Sequence, residues 1–220
     1  MTAMLQLYYG SGSPYAWRVQ LGLEHKALPY ERIVLSFAQG DLKKPEHLAR
    51  NPRGKIPVLV DGDFSLYESA AILEYLDDAY PAQGRRLFPG DARERAMQRR
   101  VILETNDSFE KASDPLVDQA FGKKPEERSA ETIAQAREAT RAELAHLERG
   151  LRGEFFGGDA PGAADFTVYT ILGFLRRCEL KLPDIAFTEL VGDRFVAWMR
   201  RMDGLEFADR CIPPHWKASS

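Results

Sequence analysis

Apolar and polar positions recur with two different periods along this chain, and the period changes near residue 80. The alternation over residues 5–9 predicts a strand, which the segment 10–14 then breaks. Ser13 and Pro14 suit the N-cap and the first position of a helix that ends before Pro29. Further strands are predicted at 30–35, 55–60 and 64–66, and helices at 42–50 and from residue 68 onward. The first 80 residues therefore follow the order β-α-β-α-β-β-α.

Strand signals nearly vanish after residue 80. Residues 81–90 contain two Pro and two Gly, which is typical of a linker. Helical patterns follow at 91–120, 128–152, 164–178, 192–202 and 205–210. We therefore predict an α/β domain at residues 1–80, a linker at 81–90 and an all-helical domain at 91–220.

The composition is that of an ordinary globular protein. The chain has 220 residues, of which 44% are hydrophobic and 29% charged. Its 30 basic and 33 acidic side chains leave a net charge of −3, so we expect neither a nucleic-acid nor a membrane-surface partner. Apolar runs such as Ile56–Val60 are far shorter than the roughly 18 residues of a membrane span. The N-terminus lacks the pattern of a secretory signal, so we expect a cytoplasmic location.

Cysteine and histidine are too dispersed to predict a metal centre. Cys178 and Cys211 form no CxxC motif, and we expect both to be reduced thiols. The four histidines show no paired-ligand spacing, so we expect no metal. Gly10 and Gly12 could begin a dinucleotide fingerprint, but Tyr15 stands where its third glycine belongs, and we expect no nucleotide cofactor.

Three segments resemble motifs of the cytosolic glutathione transferases. Ser13–Val19 is similar to the Ser-Pro and Trp-Arg-Val starts of the serine-type classes. Lys43–Leu59 contains Asn-Pro-x-Gly-x-Ile-Pro and is followed by Glu68–Ile72, at the spacing of the family. Gly158–Asp165 is similar to a helix start of the family's C-terminal domain. The resemblance covers nearly the whole chain. It implies a serine-type bacterial member with a thioredoxin-like N-terminal domain and an all-α C-terminal domain.

The third segment departs from the family at one position. Gly162 stands where the family usually has a hydroxyl residue, three residues before Asp165. Because glycine has no side chain to accept a hydrogen bond, we expect the capping box there to be incomplete.

The resemblance gives Ser13 a catalytic role. Glutathione is a poor nucleophile at neutral pH, because a thiol pKa of about 8.5 leaves little thiolate. A hydroxyl at the start of a helix can donate a hydrogen bond to the sulfur anion, which the helix dipole also favours. Ser11 is the second candidate, and Tyr8 or Tyr9 could imitate the tyrosine-type classes. No cysteine occupies this loop, which excludes dithiol exchange and a mixed disulfide from it.

The resemblance also implies a binding site for glutathione as cosubstrate. Ile56 precedes a proline, Pro57, that is cis in the resembled fold, and its backbone would pair with the cysteinyl unit. Ser69 and Glu68 would hold the γ-glutamyl carboxylate and amine at a helix start. Without the resemblance, the proline is an ordinary one and the pair is only a helix start.

Two further groups of residues complete the implied site. Lys55 and Lys43 would meet the glycine carboxylate of glutathione as point charges. The electrophile pocket would be lined by Ser11, Ile102, Asn106 and Phe109. The last three have helical spacing and could equally belong to the core.

We expect a homodimeric detoxification enzyme that conjugates glutathione to a small, mostly apolar electrophile, with Ser13 stabilising the thiolate. A glutathione-dependent isomerase, dehalogenase or peroxidase at the same site is the second hypothesis. The third is a non-catalytic binding module with the transferase fold, which predicts that glutathione does not bind.

Overall fold

The computed structural model describes residues 4–217, which divide by their contacts into two compact units. The first unit takes in the described residues up to Phe88 together with those from Leu205 onward, and the second runs from Pro89 to Gly204. The sequence division placed residues 205–220 in the helical domain. The described part of that segment instead packs with the first unit, because its apolar side chains find their partners there.

The first unit is built on a four-stranded mixed sheet. Its strands are β1 (Leu5–Tyr9), β2 (Tyr30–Val34), β3 (Val58–Asp61) and β4 (Phe64–Tyr67), in the order β2-β1-β3-β4. β1 is parallel to β2 and antiparallel to β3, and β4 returns antiparallel to β3. This confirms the predicted βαβ unit followed by a hairpin. β3 begins three residues later than predicted, since Pro57 has no N–H for the ladder.

Three helices accompany the sheet: α1 (Pro14–His25), α2 (Pro45–Arg50) and α3 (Ser69–Ala79). A 3₁₀ turn, Asp41–Lys43, precedes α2 and takes the place of the predicted first turn of that helix. α1 and α3 pack against each other. The core of this unit is formed by Leu5, Leu7, Val19, Leu23, Leu59, Ile72 and Leu76.

The predicted linker is partly buried in the first unit. Leu87 and Phe88 are core residues, and Asp77 of α3 accepts a hydrogen bond from the Leu87 N–H at 2.7 Å. Asp77 also contacts Arg86 at 2.7 Å and the fully buried Lys26 at 3.4 Å. Burial opposes the charge of Asp77, but these partners hold its pKa below the usual range. The sequence could not show this, because Pro and Gly content reports on turns and not on burial.

The regular elements described in the second unit are helices. Its helices are α4 (Ala92–Glu104), α5 (Glu110–Val117), α6 (Ala130–Glu148), α7 (Ala163–Cys178), α8 (Phe187–Leu190) and α9 (Asp193–Asp203). The predicted helix at 91–120 is a continuous helical run, in which π-helical turns at 105–109 and 118–122 flank α5. The sequence predicts no strand in this region. Among its described residues, the structure has only one isolated β-bridge, between Phe155 and Gly158.

A buried carboxylate at the start of α7 joins three parts of the second unit. Asp165 is fully buried and accepts hydrogen bonds from Phe156 N at 2.9 Å, Gly162 N at 3.0 Å and Trp198 Nε1 at 2.8 Å. Burial raises the pKa of this carboxyl to about 6, against the effect of its donors. Gly162 offers no side-chain cap, so the predicted incomplete capping box is confirmed.

The last described residues form two short helices in the first unit, α10 (Ala208–Cys211) and α11 (Pro214–Lys217). The guanidinium of Arg210 lies 2.9 Å from the carboxylate of Glu24, and the ring of Trp216 meets that of Trp17 edge to face at 5.4 Å. The sequence predicted α10 three residues too early and did not predict α11. Within residues 4–217, no helix is both long and apolar enough to cross a membrane.

Candidate functional site

The strand register brings three of the predicted site segments to one end of the sheet. Tyr8 of β1 is opposite Val58 of β3, and Val58 is opposite Tyr67 of β4. Because both pairs are antiparallel, the end of β1, the start of β3 and the end of β4 meet there. The loop 10–13, the pair 56–57 and the pair 68–69 are thereby neighbours, although up to 59 positions separate them along the chain.

Ser13 is the N-cap of α1, as the sequence predicts. Its Oγ accepts a hydrogen bond from Ala16 N at 3.3 Å, and Pro14 is the first helical residue. Ser13 N donates to Gly10 O at 3.2 Å, which closes the turn between β1 and α1. The side chain is half-buried, at the positive end of a twelve-residue helix. An anion placed here would meet both the hydroxyl and the helix dipole.

Gly10 is required by close packing around this turn. A Cβ at this position would lie 2.5 Å from the ring of Phe37 and 3.3 Å from Cδ1 of Ile56. The same contacts place the Ile56 side chain directly beside the turn. The Ile56–Pro57 peptide bond is cis. Among the described residues, none forms a hydrogen bond with the Ile56 backbone.

Two buried side chains hold the loop that leads into Ile56. Asn51 donates from Nδ2 to Lys55 O at 2.8 Å, and its Oδ1 accepts from Arg53 N at 3.0 Å. His47 Nε2 donates to the same Lys55 carbonyl at 3.0 Å. Both side chains are at most 2% exposed. The sequence analysis gave neither residue a role, although Asn51 opens the most specific motif of the chain.

The start of α3 offers a second anion-binding position. Ser69 is buried at the first position of this helix, and Glu68 before it has φ 71°. A non-glycine residue at positive φ is uncommon, and such strain is concentrated at functional sites. Glu68 forms no side-chain cap, so the first N–H groups of α3 remain available to an anion.

Lys43 and Lys55 are both exposed, on neighbouring turns. A Cβ on Gly54 would lie 3.1 Å from Leu42 O, so the turn that carries Lys55 packs on the turn that carries Lys43. The structure therefore brings the two predicted cations to one region of the first unit.

Two of the four residues predicted to line the electrophile pocket are buried in a core. Ile102 and Phe109 are 3% and 1% exposed in the core of the second unit, so their assignment to a pocket is corrected to core. Their helical spacing places both on the packed face, which a spacing argument alone cannot distinguish from a pocket wall. Asn106 is half-buried in a π-helical turn. Ser11 lies in the loop before α1, with its Oγ 3.1 Å from His215 Nδ1.

A shallow cleft opens beside the Ser11–Ser13 loop. One wall is formed by Tyr9, Trp17 and Gln20, and the other by the C-terminal residues 210–214. Arg32 and Arg210 also line it, and both carry positive charge. The C-terminal wall was not predicted, because residues 210–217 contain none of the motifs that resemble the family.

The cysteines do not take part in this site as nucleophiles. Cys178 and Cys211 are buried and form no disulfide. Burial raises the pKa of both thiols to about 12, so they are un-ionised at neutral pH. Across residues 4–217, His, Cys, Asp and Glu side chains form no group that could hold a metal ion.

Comparison with known proteins agrees with this fold. Residues 12–79 match the family of the glutathione S-transferase N-terminal domain, and residues 130–201 match the family of the C-terminal domain. Together these matches cover more than half of the chain. A thioredoxin-like mixed sheet followed by a helical domain is also the fold of glutathione S-transferases of known structure. The chain belongs to the glutathione S-transferase family, whose members are enzymes that use glutathione as cosubstrate.

Individual relatives support this assignment. Glutathione S-transferase A of Pleuronectes platessa is 34% identical over 80% of each chain. Glutathione S-transferase 1 of Dianthus caryophyllus is 32% identical over 90% of this chain and 89% of its own length. The crystal structure of a glutathione S-transferase from the clam Laternula elliptica superposes with a TM-score of 0.82 at 28% identity. That comparison covers 99% of this chain and 95% of the clam protein.

Proposed function

We propose that this protein conjugates the thiolate of glutathione to small, mostly apolar electrophiles, and that Ser13 is the residue that stabilises the thiolate. The reaction transfers sulfur to an electrophilic carbon, with positioning and anion stabilisation as the main catalytic contributions. We further propose a cytoplasmic homodimer that acts in detoxification, as in the enzymes that the sequence resembles.

One observation carries the assignment of Ser13. Its Oγ already accepts from Ala16 N, which uses a lone pair and leaves the hydroxyl hydrogen to donate to a sulfur anion. Ser11 lies in the loop two residues before this N-cap, so its Oγ is not at the helix start. The positive end of α1 adds a favourable field at Ser13.

The remaining segments supply a site of the right chemistry for the tripeptide. The Ile56 backbone would pair with the cysteinyl unit, because it forms no hydrogen bond among the described residues. The free N–H groups at the start of α3, with Ser69 and Glu68, suit the γ-glutamyl carboxylate and amine. The ammonium groups of Lys43 and Lys55 suit the glycine carboxylate.

The test is the pKa of bound glutathione in three variants. Ser13→Ala removes the donated hydrogen bond, which to an anion is worth about 1.5–3 kcal/mol. Since about 1.4 kcal/mol corresponds to one pKa unit, we expect the thiol pKa to rise by roughly 1–2. The value of kcat/KM for chlorodinitrobenzene at neutral pH should fall by about 10- to 100-fold. Ser13→Thr keeps the hydroxyl and should retain most of the activity. The thiolate absorbance in the ultraviolet follows the pKa directly.

Ser129→Ala is the matched control. Ser129 caps α6 in the same way, by accepting from Thr132 N at 3.2 Å, so its loss costs a helix cap and no thiolate contact. It should lower the free energy of unfolding by about 1 kcal/mol and leave the thiol pKa unchanged. An unchanged thiol pKa in Ser13→Ala contradicts the role of Ser13. Failure of wild-type protein to bind glutathione in a calorimetric titration would favour the non-catalytic module.

A product screen separates conjugation from the other reactions of the same site. Chlorodinitrobenzene, a hydroperoxide and a cis-alkene diacid report on conjugation, peroxide reduction and isomerisation respectively. We expect turnover of chlorodinitrobenzene, because a stabilised thiolate next to an open cleft is sufficient for aromatic substitution. Faster turnover of the hydroperoxide or the diacid would assign the second hypothesis instead.

A further inference from the structure

The C-terminal segment, residues 205–217, brings an imidazole to the serine-bearing loop of the first unit. Nδ1 of His215 lies 3.1 Å from Oγ of Ser11. A Cβ built on Gly12 would lie 3.2 Å from both Cε1 and Nε2 of the same ring. The ring therefore rests on the backbone of the residue that directly precedes Ser13.

Packing, and not this hydrogen bond alone, sets the position of the imidazole. The neighbouring Trp216 meets Trp17 of α1 edge to face at 5.4 Å. Arg210 is paired with Glu24 at 2.9 Å, and its carbonyl accepts from Arg32 at 3.5 Å. Such contacts with α1 and β2 fix the segment on either side of the cleft, so His215 is held there by the fold.

Nothing in the thiolate chemistry proposed above uses this histidine. Activation of glutathione needs Ser13 and the helix start, and the tripeptide is held by the loops at β3 and α3. A titratable side chain against residue 12 is nevertheless suited to act on the other reactant. An exposed imidazole can also exchange protons with water.

We propose that His215 is a further catalytic residue of this protein, the proton donor to electrophiles that become anionic when the thiolate adds to them. This inference rests on the proposed conjugation of glutathione. In the protonated ring, Nδ1–H donates to Ser11 Oγ, and the Cε1–Nε2 edge lies against Gly12, next to the turn at which the Ser13-bound thiolate would meet the electrophile. Ser11 is then a positioning residue, which orients the ring.

Addition of the thiolate to an α,β-unsaturated ketone is a reaction that needs such a proton donor. The thiolate sulfur forms a bond to the β-carbon, the carbon–carbon π bond breaks, and the electron pair moves to the carbonyl oxygen. His215 gives its Nε2 proton to this enolate, and the neutral ring regains a proton from water. In aromatic substitution on chlorodinitrobenzene, chloride leaves with the electron pair and takes no proton. The two reactions therefore differ in whether they need a proton donor.

The test compares these two reactions in a His215→Gln variant. Glutamine keeps a hydrogen-bonding side chain but cannot transfer a proton. We expect kcat/KM for benzylideneacetone, an enone, to fall by about 100-fold, within the usual range of general acid catalysis. The value for chlorodinitrobenzene should change less than about twofold. His146→Gln, at a half-buried histidine of α6 in the second unit, is the matched control and should change neither value.

A double-mutant cycle with Ser11→Ala tests the positioning role. Ser11→Ala alone should lower enone turnover by a smaller factor, and it should have no further effect in the His215→Gln background. An equal loss for both substrates, or no loss for the enone, overturns the role of His215. So does a wild-type enzyme that conjugates chlorodinitrobenzene but not benzylideneacetone. A wild-type enzyme inactive on chlorodinitrobenzene contradicts the proposed function itself, and this inference with it.

Discussion

His25, the last residue of α1, is a base that the first unit keeps neutral. It is 4% exposed, and its Nε2 donates to Arg86 O at 3.3 Å. Burial, and to a smaller extent the charges of the nearby Arg85 and Lys26, lower its pKa from 6.5 to about 4. The neutral ring is therefore part of the folded state.

This burial predicts a loss of stability in mild acid. The folded pKa lies below the unfolded one, so the contribution is complete above about pH 6.5 and lost as pH falls toward 4. The loss attributable to His25 should be about 3 kcal/mol. Urea unfolding of the wild type and His25→Gln at several pH values measures it. We expect the difference between the two free energies of unfolding to change over this window.

The comparison must be a difference, because Asp165 titrates in the same range. The folded pKa of Asp165 is raised to about 6, so the contribution of this group to the free energy of unfolding increases as pH falls, opposite to that of His25. The pKa of Asp77 is lowered, so protonation of this group reduces stability only at pH values below those at which free aspartate titrates. If wild type and His25→Gln lose stability in parallel between pH 6.5 and 4, the buried histidine is not the cause.

Residues also differed in how well the sequence predicted them. Ser13 was predictable as a cap because a serine before a proline specifies its own local geometry. Ile102 and Phe109 were not, since the same spacing serves a core and a pocket. His215 had no local signal at all. Its proposed role rests on the contact with Ser11, which lies 204 positions earlier in the chain.

At the scale of elements, hydrogen bonds within the loop 51–55 fix the position of the following residue, Ile56. Asn51 joins Arg53 N and Lys55 O across the loop, and His47 donates to the same carbonyl. A buried hydrogen bond of this kind is worth about 1 kcal/mol, and more if its partner is left unsatisfied. The loop therefore presents the Ile56 backbone in one conformation.

Asn51→Ala should weaken glutathione binding. Loss of both bonds lets the loop fluctuate, and we expect KM for glutathione to rise by about 5- to 30-fold, equivalent to about 1–2 kcal/mol. The value of kcat at saturating glutathione should change less. Steady-state kinetics measures both. Gln135→Ala in α6 is the control. The amide of Gln135 donates a hydrogen bond to the exposed Glu131, and its loss should leave KM unchanged. A variant that only melts at a lower temperature, with normal KM, would make Asn51 structural alone.

Helices and strands were predicted best where local patterns decide them. α1, α3 and the hairpin of β3 and β4 match their predicted positions within a few residues, because caps, turns and periodicity act locally. The 3₁₀ turn before α2 and the π-helical turns flanking α5 were not predicted. These turns have hydrogen-bond spacings that differ from the α-helix, and packing selects them. A hydrophobic period of 3.6 residues describes only the α-helix.

At the scale of the whole molecule, each unit has a core of its own, and Asp165 is the polar centre of the second. It links the N-terminus of α7 to the loop at Phe156 and to Trp198 of α9. All of these donors point at carboxylate oxygens. Replacing one oxygen by an amide NH₂ would set a donor against a donor.

Asp165→Asn should therefore destabilise the second unit by roughly 2–4 kcal/mol. Urea unfolding followed by tryptophan fluorescence measures it, since Trp198 lies beside the substituted side chain. Asp159→Asn, at an exposed aspartate of the preceding loop, is the control and should change stability by less than about 0.5 kcal/mol. Equal stability of the two variants would show that the carboxylate is replaceable by any polar group.

The sequence by itself determined the family, the order of elements and the serine that caps α1. These are specified by neighbouring residues, whose sterics and hydrogen bonds act over a few positions. Only the tertiary structure decided that residues 205–217 pack with the first unit, that Ile102 and Phe109 are core, and that His215 contacts Ser11. Such facts follow from burial and from contacts between distant positions, which are set by the packing of whole elements and have no local signature.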